Sequence, residues 1–71
     1  MQRYLIVIEP TETGFSAYSP DLPGCIATGA TQAEVERAMR EALEYHLEGL
    51  RADGRPVPPP DTVATYVEVA A

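Results

Sequence analysis

Two side chains of the sequence could form a nucleophile and its base: Cys25, the only cysteine, and His46, the only histidine. A thiol nucleophile needs a neighbouring base to take its proton. His46, however, falls at the core-facing spacing of a predicted helix, and Cys25 follows Gly24 at the start of a predicted strand. We therefore predict that both are packing residues, with Cys25 filling a small apolar gap, and that the chain has no catalytic residue.

Three carboxylates, Glu9, Glu12 and Asp21, stand at the ends of predicted strands or in the turn that joins them. Magnesium sites combine one or two carboxylates with substrate phosphates, so a reduced nuclease using Glu9 or Asp21 stays open as an alternative. Acidic residues are also ordinary turn residues, and we favour that interpretation. Cys25 and His46 are too few for a four-ligand zinc site. We expect neither a metal nor another cofactor.

The charge balance argues against a nucleic-acid binder. Eleven acidic and five basic residues give a formal net charge of −6, and every basic residue is an arginine. Binding to phosphates requires a basic patch, which these residues cannot build. An acidic surface suits a basic protein partner instead. No apolar stretch approaches the ~20 residues that span a bilayer, and the start lacks the apolar core of a signal peptide. We predict a cytoplasmic protein without membrane contact.

The residue pattern predicts four strands and one helix. Thr31 opens the helix with the capping box "TQAE", in which the Glu34 carboxylate reaches back to the Thr31 amide, and Asp53-Gly54 ends it. The strands are predicted from β-branched and apolar runs bounded by turn residues, at Arg3–Pro10, Phe15–Ser19, Cys25–Thr28 and Thr62–Val69. This order, β-β-β-α-β, predicts an α+β fold with one helix packed on a small, mainly antiparallel sheet.

The size of the chain predicts an oligomer. Residues 1–71 make one domain, and a domain this small usually needs a disulfide, a metal or a partner subunit. The sequence offers neither of the first two, so we expect a homo-oligomer, a dimer or a tetramer. One helix covers only one sheet face, and a bare apolar face marks an interaction surface. Our candidates for contacts with a partner or a second copy are Tyr18, Tyr66, Asp21 and Leu22.

The loop "SPDLPGC" between the second and third strands is predicted to be architectural. Its two prolines fix φ, and Gly24 permits a conformation that other residues resist. A role in contacting a partner is the alternative, because loops often carry binding residues.

Three segments in order, "FSAYSPDLPGCIATGAT", "EALEYHLEGL" and "DGRPVP", resemble the HicB antitoxin family. The resemblance implies a truncated, RNase H-like β-β-β-α-β core without a working nuclease site. It also implies an oligomer that binds and blocks a HicA-type toxin, a small, basic RNase that cleaves mRNA. A non-enzymatic antitoxin is therefore the expected function.

One part of the family pattern is missing from this sequence. Many HicB proteins carry a C-terminal DNA-binding segment, whereas this sequence ends at Ala71, two residues after its last predicted strand. We expect a single HicB-like domain over residues 1–71 that does not bind DNA directly. An oligomeric scaffold or a small-ligand module without a toxin is the alternative. A short gene for a basic protein beside this one would favour the antitoxin.

Overall fold

The structure is a computed structural model that describes residues 2–71, and in it three strands precede one long helix. The strands are β1 (Val7–Thr11), β2 (Gly14–Tyr18) and β3 (Ile26–Gly29), and the helix is α1 (Gln32–Ala52). They form a single antiparallel sheet in the order β1-β2-β3. The predicted α+β fold, with one helix on a small antiparallel sheet, is confirmed. No helix in residues 2–71 combines the length and apolar character needed to cross a membrane.

The predicted closing strand at Thr62–Val69 is wrong for the single chain. The structure assigns no strand after α1 in the part of the chain it describes, and residues 61–71 are all exposed. The pattern of valines gives this segment strand propensity, but a strand forms only where a neighbour supplies hydrogen bonds. The first strand also starts later than predicted, at Val7, because Val7 pairs with Tyr18, where β2 ends.

Alternation along the strands separates a core face from an outer face. Ile8, Ala17 and Ala27 are cross-strand neighbours on the face against which α1 packs. From the helix, Val35, Met39 and Leu50 enter the same core. The buried loop residues Leu22 and Cys25 complete it. The helix therefore covers one side of the sheet, as the spacing of its apolar residues predicts.

Both ends of α1 are capped by local hydrogen bonds. The Thr31 hydroxyl accepts from the Glu34 amide at 3.1 Å, as predicted, but the Glu34 carboxylate accepts from the Ala30 amide rather than from that of Thr31. At the other end, Gly54 takes a φ of 66°, and the Arg55 amide donates to the Leu50 carbonyl at 2.9 Å. This is the Schellman arrangement, which satisfies carbonyls that the helix leaves free.

Gly29 sets the distance between sheet and helix. A Cβ atom at this position would lie 2.7 Å from the backbone nitrogen of Val35, closer than atoms can approach. Only glycine therefore allows the first turn of α1 to rest directly on β3.

Candidate interaction site

The face of the sheet opposite the helix carries a row of three apolar side chains. Val7 lies opposite Tyr18, and Tyr18 lies opposite Ile26, so one residue of each strand contributes to the row. Tyr18 is 42% exposed and Ile26 is 71% exposed. We call Val7, Tyr18 and Ile26 the outer row. It supplies the bare apolar face that the sequence predicts, with Tyr18 at its centre.

Polar groups border the outer row. The next residues on the same face form a second row, Glu9, Ser16 and Thr28, of which Glu9 and Thr28 are exposed. In such an arrangement the aromatic and aliphatic side chains can pack against an apolar side chain of a partner. The neighbouring carboxylate can at the same time attract a cation. The whole chain carries a formal net charge of −6, so a positively charged group would be attracted to it.

The four predicted contact residues have different positions. Tyr18 lies in the outer row, and Tyr66 is fully exposed in the C-terminal segment. Asp21 is only partly exposed, and its carboxylate accepts hydrogen bonds from the backbone amide and the hydroxyl of Thr62. Leu22 does not fit the prediction, because its side chain is fully buried in the core and leaves no surface for a partner. Of the four predicted contact residues, only Tyr18 lies on the outer face of the sheet.

The loop that holds Asp21 and Leu22 is built around core contacts. The buried Ser19 hydroxyl donates to the Leu5 carbonyl at 2.9 Å, and the Cys25 amide donates to the Leu22 carbonyl at 3.1 Å. Gly24 follows with a φ of 86°, in the left-handed region that favours glycine. This geometry agrees with an architectural loop that connects β2 to β3 and buries the Leu22 side chain in the core.

Cys25 and His46, the groups that could act as nucleophile and base, have different surroundings. Cys25 is buried, and desolvation raises the pKa of its thiol, which disfavours the nucleophilic thiolate. His46 is half-buried and lines a shallow groove beside Tyr45 and Arg55. Over residues 2–71, no three side chains of histidine, cysteine, aspartate or glutamate gather where they could hold a metal ion. Glu9 and Asp21 therefore belong to no such group.

Ile26 is an exposed residue of the outer row that the sequence reasoning did not single out. Its neighbours in the chain, Cys25 and Ala27, are small and face the core. A large aliphatic residue between two small buried ones points to the opposite face of a strand, and this alternation is the signal that identifies it. The same rule places Val7 on the outer face once Ile8 is assigned to the core.

Comparison with known proteins relates the whole fold to one family. Residues 4–70 match the family described as the HicB_like antitoxin of bacterial toxin-antitoxin systems. The chain is also similar to a solved structure described as the HicA3 and HicB3 toxin-antitoxin complex. The sequence identity is 40% and the TM-score is 0.72, and the match covers 83% of this chain and 70% of the other.

Three of the curated relatives come from a phage and two bacteria. An uncharacterized 14.9 kDa protein from the rep-hol intergenic region of Haemophilus phage HP1 is 33% identical over 64 residues, which are 90% of this chain and 48% of the phage protein. A UPF0150 protein of Helicobacter pylori is 43% identical over 47 residues, 66% of this chain and 65% of that protein. The UPF0150 protein ssr1765 of Synechocystis is 34% identical over 68 residues, 94% of this chain and 86% of that protein. The chain thus spans about half of the phage relative and 65% of the Helicobacter one.

Proposed function

Since the chain belongs to the HicB-like antitoxin family, we propose that it binds a small, basic HicA-type toxin and suppresses the toxin's cleavage of mRNA. The observation that carries this proposal is the similarity, at 40% identity, to a chain of the HicA3 and HicB3 complex. The burial of Cys25 disfavours its thiolate and so argues against thiol catalysis by this chain. We place the encounter in the cytoplasm, where the toxin meets mRNA.

The outer row is our proposed contact surface. Aromatic side chains at the centre of an interface contribute most of the binding energy, and Tyr18 has this position between Val7 and Ile26. Glu9 lies on the same face, where it can attract arginine or lysine side chains of the toxin. Blocking would follow if these toxin cations are the ones that bind RNA phosphates, because both ligands cannot occupy them together.

Direct binding to DNA is not part of the proposal. Five arginines against eleven acidic residues leave too little positive charge to neutralise phosphates. We expect no gel shift of the promoter of its own operon by this chain at submicromolar concentration in physiological salt.

The test is co-expression with the product of the adjacent small gene, followed by pull-down and a growth-rescue assay. We expect co-purification and rescue, and no RNA cleavage by the antitoxin alone. The variant Tyr18→Ala should weaken affinity by ~2 kcal/mol or more if Tyr18 is a central anchor. Tyr45→Ala is the matched control, because Tyr45 is 81% exposed but belongs to α1. Equal effects of the two changes would contradict the assignment of the outer row.

Failure to co-purify and to rescue would favour an oligomeric scaffold without a toxin. Metal-dependent RNase activity that a Glu9 or Asp21 substitution removes would favour the nuclease alternative instead.

A further inference from the structure

The C-terminal segment, residues 63–71, extends away from the body of the molecule. All nine residues are exposed, including Val63 at 86%. The molecule measures 48 × 27 × 19 Å, with a radius of gyration of 13.9 Å. A compact domain of this length would have a radius of roughly 11 Å. The apolar side chains of this segment lack packing contacts, which another surface could provide.

The sequence of this segment is that of a strand. Val63, Val67 and Val69 share one side of an extended chain, and Tyr66 lies on the other. Valine, threonine and tyrosine favour strands because they pack well on a pleated surface. A lone strand is unstable in water, so the segment requires a sheet edge.

A free edge exists at β1. Within the described residues, β1 has a strand neighbour on one side only, which is β2. Residues 4–6 lead into β1, and the structure assigns them to no strand, although Tyr4 and Ile6 pack on the core. This packing fixes the free edge from Tyr4 to Ile8 in place. An edge of this kind is a template for pairing with another segment.

The base of the C-terminal segment is fixed close to this edge. The Tyr4 hydroxyl donates to the Pro58 carbonyl at 2.6 Å, and the Thr62 hydroxyl donates to Asp21 at 2.7 Å. Beyond Thr62 the chain leaves its own edge uncovered and runs into solvent. Each molecule therefore offers an unpaired strand segment and, beside its base, an edge that could receive one.

We propose that two copies of this chain exchange these segments, so that residues 63–69 of each copy pair with the Tyr4–Ile8 edge of the other. A two-fold axis makes the exchange reciprocal and closed, because the same surfaces meet twice. Each exchange buries the valine side of one segment and adds a fourth strand to the partner's sheet. Of the outer row, only Val7 belongs to this edge strand, whereas Tyr18 and Ile26 lie on β2 and β3. The exchange is argued from the edge and the C-terminal segment alone, so it does not rest on the proposed toxin.

Proline substitution in the full chain tests the exchange. Along a strand, successive N–H groups point to opposite sides, so one of the two adjacent amides, Tyr66 or Val67, faces the receiving edge. Of Tyr66→Pro and Val67→Pro, one should raise the dissociation constant of the dimer about tenfold or more, and the other should change it much less. The two variants are thus controls for each other. Light scattering across micromolar concentrations gives the constant, and circular dichroism checks that α1 is retained.

Isotope-filtered NMR separates exchange from pairing within one chain. Labelled and unlabelled chains are mixed, unfolded and refolded together. We expect nuclear Overhauser contacts between Val67 of one copy and residues 5–8 of the other. Contacts found only within one chain, or a mass that stays at 7.7 kDa at every concentration, would overturn the proposal. Neither result would bear on toxin binding, which is measured separately.

Discussion

The Asp21 carboxylate accepts two hydrogen bonds from Thr62, one from its backbone amide at 3.1 Å and one from its hydroxyl at 2.7 Å. Forty-one positions separate the two residues. The contact joins the loop after β2 to the point at which the C-terminal segment leaves the core. Asp21 was predicted as an interface residue, and the structure gives it a local partner that fixes the direction of this segment.

Replacing Asp21 should therefore loosen the end of the chain. Asp21→Ala removes both acceptors, and we expect faster exchange of the hydrogen-bonded amides of Asp61 and Thr62 and a loss of about 0.5–1.5 kcal/mol in the free energy of unfolding. Hydrogen exchange with mass spectrometry and urea denaturation measure the two effects. Asp61→Ala is the control, because it removes the same charge from an exposed side chain beside Thr62. Equal acceleration in both variants would show that charge, rather than the hydrogen bonds, matters.

The close contact between β3 and α1 makes a second prediction. Gly29→Ala places a methyl group 2.7 Å from the backbone nitrogen of Val35, which cannot move without shifting the helix. We expect a loss of about 1–3 kcal/mol in the free energy of unfolding. Gly49→Ala is the matched control, since nothing lies within 4 Å of its Cβ position in the exposed helix. That change should stabilise the protein by about 0.5–1 kcal/mol. Urea denaturation giving the same sign for both would contradict the prediction.

The ends of the helix and the alternation along the strands could be predicted from neighbouring residues. The capping of α1 at Thr31 and its end at Gly54 depend on residues within a few positions, and both are observed. The outward position of Tyr18 follows from alternation along β2. These parts of the fold could be predicted because short-range chemistry determines them.

The parts that sequence reasoning missed depend on distant contacts. Residues 62–69 have the composition of a strand, but in the described part of this chain no neighbouring strand pairs with them. The residues around Leu22 are typical of turns, so the composition of this segment predicted an exposed loop. Packing against the core instead buries Leu22 fully. In both cases the environment, which a single sequence does not contain, decides the outcome.

The buried thiol makes a prediction about pH. Burial raises the pKa of Cys25, so the folded protein holds the thiol proton to higher pH than the unfolded chain does. Its stabilisation is complete below the ordinary cysteine pKa of about 8.5 and is lost as pH rises through the folded value. Cys25→Ala should cost ~1–3 kcal/mol of unfolding free energy at neutral pH. The difference from wild type should shrink at alkaline pH. Urea denaturation of both proteins across that range is the measurement, and a constant difference would contradict the burial effect.

The last prediction concerns the rate at which the proposed toxin associates with this protein. An acidic protein and a cationic toxin attract each other over roughly the Debye length, which is about 8 Å at physiological salt. Raising salt should therefore slow association before it speeds dissociation. Stopped-flow mixing at about 50 mM and about 300 mM salt measures both rates.

Glu9 tests whether this attraction is directed at the outer face. Glu9→Gln should lower the association rate about two- to fivefold at low salt and leave the dissociation rate nearly unchanged, because a rim charge acts mainly on encounter. Glu44→Gln is the control, since it removes an equal charge from the exposed side of α1. If the two variants slow association equally, the toxin responds to net charge alone. A larger effect of Glu9 would place the approaching toxin over the sheet, where Tyr18 and Ile26 can complete the contact.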